Sequence, residues 1–423
     1  MFSPVRIAWL FVGAYCILSA FAHSESRNPL LYLSLVENPD IRTPSHRVNA
    51  LSTFDLTFDI HQPQQRVKLT LEPNHDIIPE GAKIEYLDAD GQVRQTEFID
   101  RTTVKAFKGY AWLQGNGGDW VNMGWARIVV RRDGVKPLFE GAFTIMHDHH
   151  HIQLRSNYMQ TKHEFDPLVE ESDDECMVMF RDSDIDQRKS ELKRSEDDGP
   201  HCPADDLIFN TQPEHPVYSN ILRRNEGYWG SMSLNSLLGK RQIDTGTGGK
   251  TGNSAGVNLK STIGDTTGCP GTRKVALVGV ATDCTYTGSF NSTESARQNV
   301  IAAINSASEL YEKTFNITLG LHTLTVSESN CPGSPPASAP WNTPCSNNIT
   351  IQDRLNTFSA WRGTKADDSN AYWTLLTTCN TGSAVGLAWL GQACVADAQS
   401  SSGETVSGAN VVARTSTEWQ VIA

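Results

Sequence analysis

Positive charge is what this 423-residue sequence most lacks: 36 lysines and arginines against 48 aspartates and glutamates leave a net charge of −12. Phosphate backbones need a Lys/Arg surplus on some face, so nucleic acid is excluded as the partner the chain is built for. Long apolar runs are missing too. Ile7 to Leu18 is too short to cross a bilayer, and no later stretch reaches spanning length. With Arg6 ahead of it and Ala20-Phe21-Ala22 behind, that run reads as a signal peptide over residues 1–22, and a secreted product is expected. Cysteine is scarce in the first half, where only Cys176 and Cys202 follow Cys16 of the leader. Histidine is scarce in the last third, which holds His322 alone.

Enough apolar residue remains for folded domains, at 39% hydrophobic and 20% charged. From Asn28 to Phe180 the pattern has period two, in runs such as Phe54–Ile60, Val67–Leu71, Lys83–Leu87, Ala126–Val130 and Phe139–Ile145. Such runs ending at turn residues predict a β-rich domain over residues 23–180, a barrel or a sandwich. Residues 181–241 begin with RDSDIDQRKSELKRSEDD, mixed in charge and poor in apolar side chains, as a solvated linker would be. Residues 242–271 are rich in Gly, Ser and Thr, as in a tether.

In residues 272–423 strands alternate with helices. Lys274–Thr282 is a continuous apolar run suited to a strand covered on both faces. A helix over Ser292–Phe315 carries Ala296, Val300, Ala303, Ala307 and Tyr311 on one face. Ile317, Leu319 and Leu321 alternate in the next strand, and a second helix with Ile351, Leu355 and Phe358 ends near Gly363, placed as a C-cap. Strands are expected at Tyr372–Thr378, Val385–Leu390 and Ala409–Ala413, giving an α/β domain with a mostly parallel sheet. Thr415 and Glu418 have capping-box spacing, so a last helix should start there, and it stops at Ala423 on apolar residues.

Several motifs carry chemistry. Lys240-Arg241 stands before the tether, where a kexin-type processing protease would find exposed backbone. Cys269, Cys284, Cys331, Cys345, Cys379 and Cys394 are disulfide candidates whose pairing spacing cannot give. Sequons at Asn291, Asn316 and Asn348 require surface positions. Cys202, with Cys176 as the alternative, could serve as an inhibitory thiolate ligand for Zn²⁺, or the two could form a disulfide. His147, His149 and His151 would share one face of a strand and could converge on a metal, or simply form a polar face. Gly246–Thr251 fails as a phosphate loop, because Asp244 stands where the first glycine is needed.

Four blocks, VGVATDCTY, FNSTESARQNVIAAINSASELYEKTFNITLGL, GLAWLGQAC and ANVVARTSTEWQVIA, occur in one order between Lys274 and Ala423. Together they resemble the catalytic domain of ADAM (reprolysin-type metzincin) zinc metalloproteases of the fungal kind. The resemblance implies a multidomain zymogen: signal peptide, β-rich prodomain, charged linker, processing site and a metzincin-like protease domain. It implies zinc as cofactor, protein or peptide substrates, and an edge strand over Gly386, Leu387, Ala388, Trp389, Leu390 and Gly391 that pairs with extended substrate. It also implies that the helix near Ser416 leads into His-Glu-x-x-His-x-x-Gly-x-x-His, whose first histidine would follow Ala423. The domain is therefore expected to be incomplete, with no catalytic or zinc-binding residue of its own and no activity as it stands. By the same resemblance Cys394 pairs with a partner beyond the zinc helix, and the intact protein could carry a membrane anchor. The alternative is a secreted, non-catalytic binding or decoy protein.

Overall fold

A computed structural model describes residues 28–60, 65–115, 117–169, 174–186, 269–365, 368–379, 385–389, 391–401 and 403–423. The expected signal peptide, Cys202, Lys240, Arg241 and all but the end of the tether lie outside these residues.

The period-two runs fold as one antiparallel sheet. Its order is β1 (Ser34–Leu35), β11 (Met177–Arg181), β10 (Asp148–Leu154), β9 (Leu138–Ile145), β8 (Trp120–Arg132), β7 (Ala106–Gln114), β4 (Gln65–Pro73), β3 (Phe54–Ile60) and β2 (Glu37–Ile41). The sheet closes on itself. β1 and β2 are one extended segment interrupted at Val36; its start pairs with β11 (Ser34 with Met179) and its end with β3 (Ile41 with Leu56). Closure turns the sequence alternation into an inside and an outside. Phe58, Phe107, Phe139 and Phe143 fill the interior, while Ala106, Trp125, Val129 and Ala142 project outward into a second core.

That second core belongs to a mixed sheet in the order β15 (Gly386–Ala388), β18 (Ala409–Ala413), β14 (Tyr372–Thr377), β12 (Lys274–Thr282), β13 (Ile317–Val326), β5 (Lys83–Leu87) and β6 (Val93–Phe98). The hairpin β5–β6 leaves the barrel between β4 and β7 and adds itself to β13, with Lys83 opposite Thr323 and Tyr86 opposite Val326. Residues 23–180 and 272–423 therefore share a sheet, and the boundary drawn between them is crossed by hydrogen bonds. Four of the six pairings in this sheet are parallel and two antiparallel. The barrel's pairings are antiparallel throughout, so a mostly parallel sheet does not describe the chain, which is β-rich with few helices. A small hairpin, β16 (Gln399–Ser401) with β17 (Glu404–Val406), stands apart.

Five α-helices complete the described residues: α1 (Arg155–Thr161), α2 (Cys284–Gly288), α3 (Thr293–Phe315), α4 (Ile351–Gly363) and α5 (Glu418–Ile422). No helix among these residues is long and apolar enough to cross a membrane. α4 covers one face of the mixed sheet, packing Leu355, Phe358 and Trp361 against Trp373 and Leu375. Gly279 of β12 makes room for this layer, since a Cβ there would fall 2.2 Å from the Trp373 ring. Gly363 is not a C-cap: it is the last helical residue, and Thr364 caps in the right-handed region. Its Cβ would lie 2.4 Å from that of Ala398, so close approach explains the glycine.

α3 fills the space between mixed sheet and barrel. Ser292 caps it, accepting from the Ser295 backbone N–H. It is buried on more than the one predicted face: Val300, Ile301, Ala302, Ala303, Ile304, Asn305, Ser306 and Ala307 are all inside. Its polar groups are matched by the barrel. Asn305 accepts from Asn74 Nδ2 at 2.7 Å and donates to the carbonyl of Phe107 at 3.2 Å. Arg127 of β8, itself buried, meets Glu312 at 2.9 Å and also pairs with Glu309, and Arg273 reaches Glu312 from the other side at 2.7 Å. Removing one partner from such a cluster strands buried charge and costs about 3–5 kcal/mol. Arg127→Leu should lower the unfolding free energy of the full chain by that order, measured by denaturant titration. Adding Glu309→Gln should recover part of the loss, and a single-variant effect below about 1 kcal/mol would refute the buried-pair account.

Candidate active-site edge and its helix

β15 and α5 are the elements closest to the chemistry that the sequence implied. β15 lies at the end of the mixed sheet, pairing antiparallel with β18 through Leu387 and Val411. It covers Gly386–Ala388, which is shorter than the expected Gly386–Gly391. Trp389 turns inward, donating its indole N–H to Ser359 Oγ at 2.8 Å, and Leu390 lies outside the described residues. Gly386 is where strand and helix touch, because a Cβ on it would sit 2.6 Å from Cγ1 of Val421.

α5 does not start as a capping box. Its N-cap is Thr417, without a side-chain cap, while Thr415 Oγ1 accepts from the Thr417 N–H at 3.2 Å. Glu418 points into the protein instead of back along the backbone. It accepts from the Tyr286 hydroxyl at 2.8 Å and Asn299 Nδ2 at 3.1 Å. Burial raises its pKa against the opposing pull of Arg414, Tyr286 and Asn299. The Arg414 guanidinium lies 3.8 Å from the Phe290 ring centroid, a cation–π contact that keeps this charge beside the helix start.

On its other side α5 meets the barrel. His149 and His151 alternate outward from β10, and both reach one carboxylate: His149 Nδ1 to Asp182 Oδ2 at 2.8 Å and His151 Nε2 to Asp182 Oδ1 at 2.7 Å. Asp182 also accepts from Gln420 Nε2 of α5 at 3.0 Å. Trp419 donates its indole N–H to His151 Nδ1 at 2.9 Å, and its ring crosses that of Trp125 edge-on, centroids 5.9 Å apart. Gln153 donates to the Ser416 carbonyl. Burial would raise the Asp182 pKa, but the hydrogen bonds from His149, His151 and Gln420 outweigh it and hold the group well below the usual carboxylate range.

The three-histidine face does not form. Met146 and His147, at φ 52° and 68°, make the β9–β10 turn, and His150 points the other way to stack on Phe143 at 4.7 Å. Among the described residues no group of three or more His, Cys, Asp or Glu side chains is arranged to hold a metal. His322 bonds Asn370 Oδ1 at 3.1 Å. Asp182 was missed in the sequence because 181–241 was read as linker from its first residue. Arg181 in fact ends β11, and a capped turn at Asp182–Asp184 follows, where Asp184 is buried and accepts from the Arg181 N–H at 2.8 Å. An acidic residue just after an apolar strand was the available signal.

Four of the six disulfide candidates pair, as Cys284–Cys331 and Cys345–Cys379. Cys269 and Cys394 are unpaired among the described residues, as is Cys176. Burial and the neighbouring Glu175 push the Cys176 thiol up, and the run of β11, roughly 20 Å of strand, separates it from Asp182. Of the sequons, Asn291 and Asn348 are exposed. Asn316 caps α3 at φ 58° and donates Nδ2 to the Pro270 carbonyl at 2.9 Å.

Strand and helix meet so tightly at Gly386 that their packing can be tested directly. Gly386→Ala should destabilise the full chain by about 1–3 kcal/mol through overpacking. Val421→Ala in the same chain should relieve much of that cost, in a denaturant double-mutant cycle. Additive effects would mean that the two elements do not contact.

Residues 271–423 match the reprolysin-type metallo-peptidase family M12. Over 418 residues the chain is 48% identical to a protein from Aspergillus fumigatus named disintegrin and metalloproteinase domain-containing protein B, covering 97% of this chain and 53% of that one. Proteins of the same name from Arthroderma otae and Arthroderma benhamiae are each 45% identical, over 95% of this chain and 51% of theirs. The chain spans about half the length of the curated relatives it matches. Residues 271–423 are thus of the reprolysin-type M12 family, and the chain is similar over nearly its whole length to ADAM-type proteins.

Proposed function

We propose that this chain is the precursor part of a secreted or cell-surface zinc metalloendopeptidase, in which residues 23–180 act as prodomain and residues 272–423 as the substrate-aligning part of the protease. The observation that carries the reading is β15. Among the described residues it is hydrogen-bonded to β18 alone, and it lies beside α5 through the Gly386–Val421 approach. A free strand edge of this kind takes an extended peptide by backbone hydrogen bonds, with side chains left to select sequence. The reading has the barrel set the position of α5 through Trp419 and Gln420 while the sheet presents its edge.

Family membership implies zinc, but the residues described here do not fit it: His322 is engaged by Asn370, and a catalytic zinc needs three protein ligands. The part of these residues in catalysis is alignment of substrate. The 423-residue polypeptide is accordingly expected to hold substoichiometric zinc and to leave peptides uncut. Metal analysis of the purified chain with a peptidase assay checks this, and stoichiometric zinc with cleavage would overturn it.

Processing after Arg241 by a kexin-type protease is the second expectation, motivated by the Lys240-Arg241 pair before a Gly/Ser/Thr-rich stretch. N-terminal sequencing of material secreted with such a protease present should find a start at Gln242. A start elsewhere, or none, removes the propeptide reading.

A further inference from the structure

The contact between Trp419 and His151 joins barrel to helix, and its chemistry depends on a single proton. His151 is 1% exposed and stacks on Phe180 with ring centroids 4.8 Å apart. Its two nitrogens face opposite demands. Nε2 lies 2.7 Å from an Asp182 oxygen, and an ionised carboxylate only accepts, so Nε2 carries a hydrogen. Nδ1 lies 2.9 Å from the Trp419 indole nitrogen, and an indole N–H only donates, so Nδ1 must offer its lone pair. The surroundings thus select the neutral Nε2–H tautomer. A second proton would have to go on Nδ1, where it would face the indole N–H donor to donor.

We propose that this pair is a proton-operated catch: neutral His151 holds the Trp419 indole and with it α5, and protonation of His151 at Nδ1 releases the indole and loosens the barrel's hold on the helix. The catch rests on the propeptide reading for its use, as a contact that weakens when the precursor meets an acidic compartment. Its chemistry is independent of that reading.

The charged groups around His151 set the direction. Asp182, from the turn after β11, and Asp148, from β10, favour a proton on the ring, and His149, when charged, opposes one. Glu140 of β9, Glu418 of α5 and Arg414 line a cavity of about 50 Å³ shared with His151 and Trp419. Burial is the largest influence and holds the His151 pKa below its ordinary value. A depressed imidazole pKa means that the released state binds more protons. The catch is therefore fully made above the ordinary value, about pH 6.5, and is lost as pH falls through the lower value of the docked state. Asp182 stays ionised over this range, its pKa being held low. Glu418 works in the opposite sense, since burial raises its pKa. Its hydrogen-bond partners Tyr286 and Asn299 lie on α2 and α3, so it titrates at the other anchor of the same helix and does not account for a loss of the indole bond at low pH.

The test uses the full 423-residue chain labelled with ¹⁵N at tryptophan and histidine, the Trp419 indole being assigned from Trp419→Phe. Between about pH 7.5 and about pH 5, the Trp419 indole should lose at least about tenfold of its hydrogen-exchange protection, corrected for the intrinsic rate. Over the same range the His151 nitrogens should pass from the Nε2–H tautomer to the doubly protonated ring. In His151→Gln the amide oxygen can still accept from the indole but cannot titrate, so protection should become independent of pH. Wild-type protection that does not change with pH would overturn the proposal, and so would an indole still protected beside a doubly protonated His151. Both are read on the wild-type protein, so a variant that fails to fold does not rescue the idea. Loss of cleavage after Arg241 with the pH-dependent indole intact would remove the propeptide reading and leave the catch, and the reverse pattern would do the opposite.

Discussion

A helix buried on opposite sides has to satisfy two neighbours at once, and α3 is that helix here. Its small residues, Ala302, Ala303, Ser306 and Ala307, let the barrel wall and the mixed sheet approach it closely. Asn305 and Glu312 would be costly to bury unpaired; the Asn74 amide and the Phe107 carbonyl pair with Asn305, and the Arg127 guanidinium shares Glu312 with Arg273, Ser308 and Thr318. Without the barrel, α3 would expose an apolar strip and leave Asn305 unmatched. The two halves of the chain are thus joined by chemistry as well as by the β5–β6 hairpin.

The same dependence recurs on a smaller scale at α5. A five-residue helix has no independent stability in water, so its position is set from outside. Glu418 ties it to α2 and α3, Trp419 and Gln420 to the barrel, and Val421 to the glycine of β15. β15 and the helix start are therefore positioned together, and the barrel reaches both through the hold of His151 on Trp419. Asp182 is the point where both histidines and the helix converge.

Much of the secondary structure was legible in the chain because its signals are local. Phe54–Ile60, Lys83–Leu87, Lys274–Thr282 and Ala409–Ala413 are strands with the boundaries their apolar runs imply, and Ser292 announces α3. Local rules failed where a neighbour in space overrode them. Gly363 looked like a cap and is a close-packing glycine. Thr415 and Glu418 have the spacing of a capping box, but the Tyr286 hydroxyl and Asn299 amide claim the carboxylate.

By itself the sequence determined the acidic character, the alternation that builds a barrel, the apolar strands of the mixed sheet, and the ordered blocks that mark an ADAM-type protease. Each is a property of composition or of residues close together in the chain. Only the tertiary structure decided that Lys83–Phe98 crosses into the second sheet, that Cys284 pairs with Cys331 and Cys345 with Cys379, and that His149, His151, Asp182, Trp419 and Gln420 form one contact. His151 and Trp419 are separated by 268 positions, and which partner satisfies a buried polar group at that range depends on how the layers pack, which no local pattern encodes.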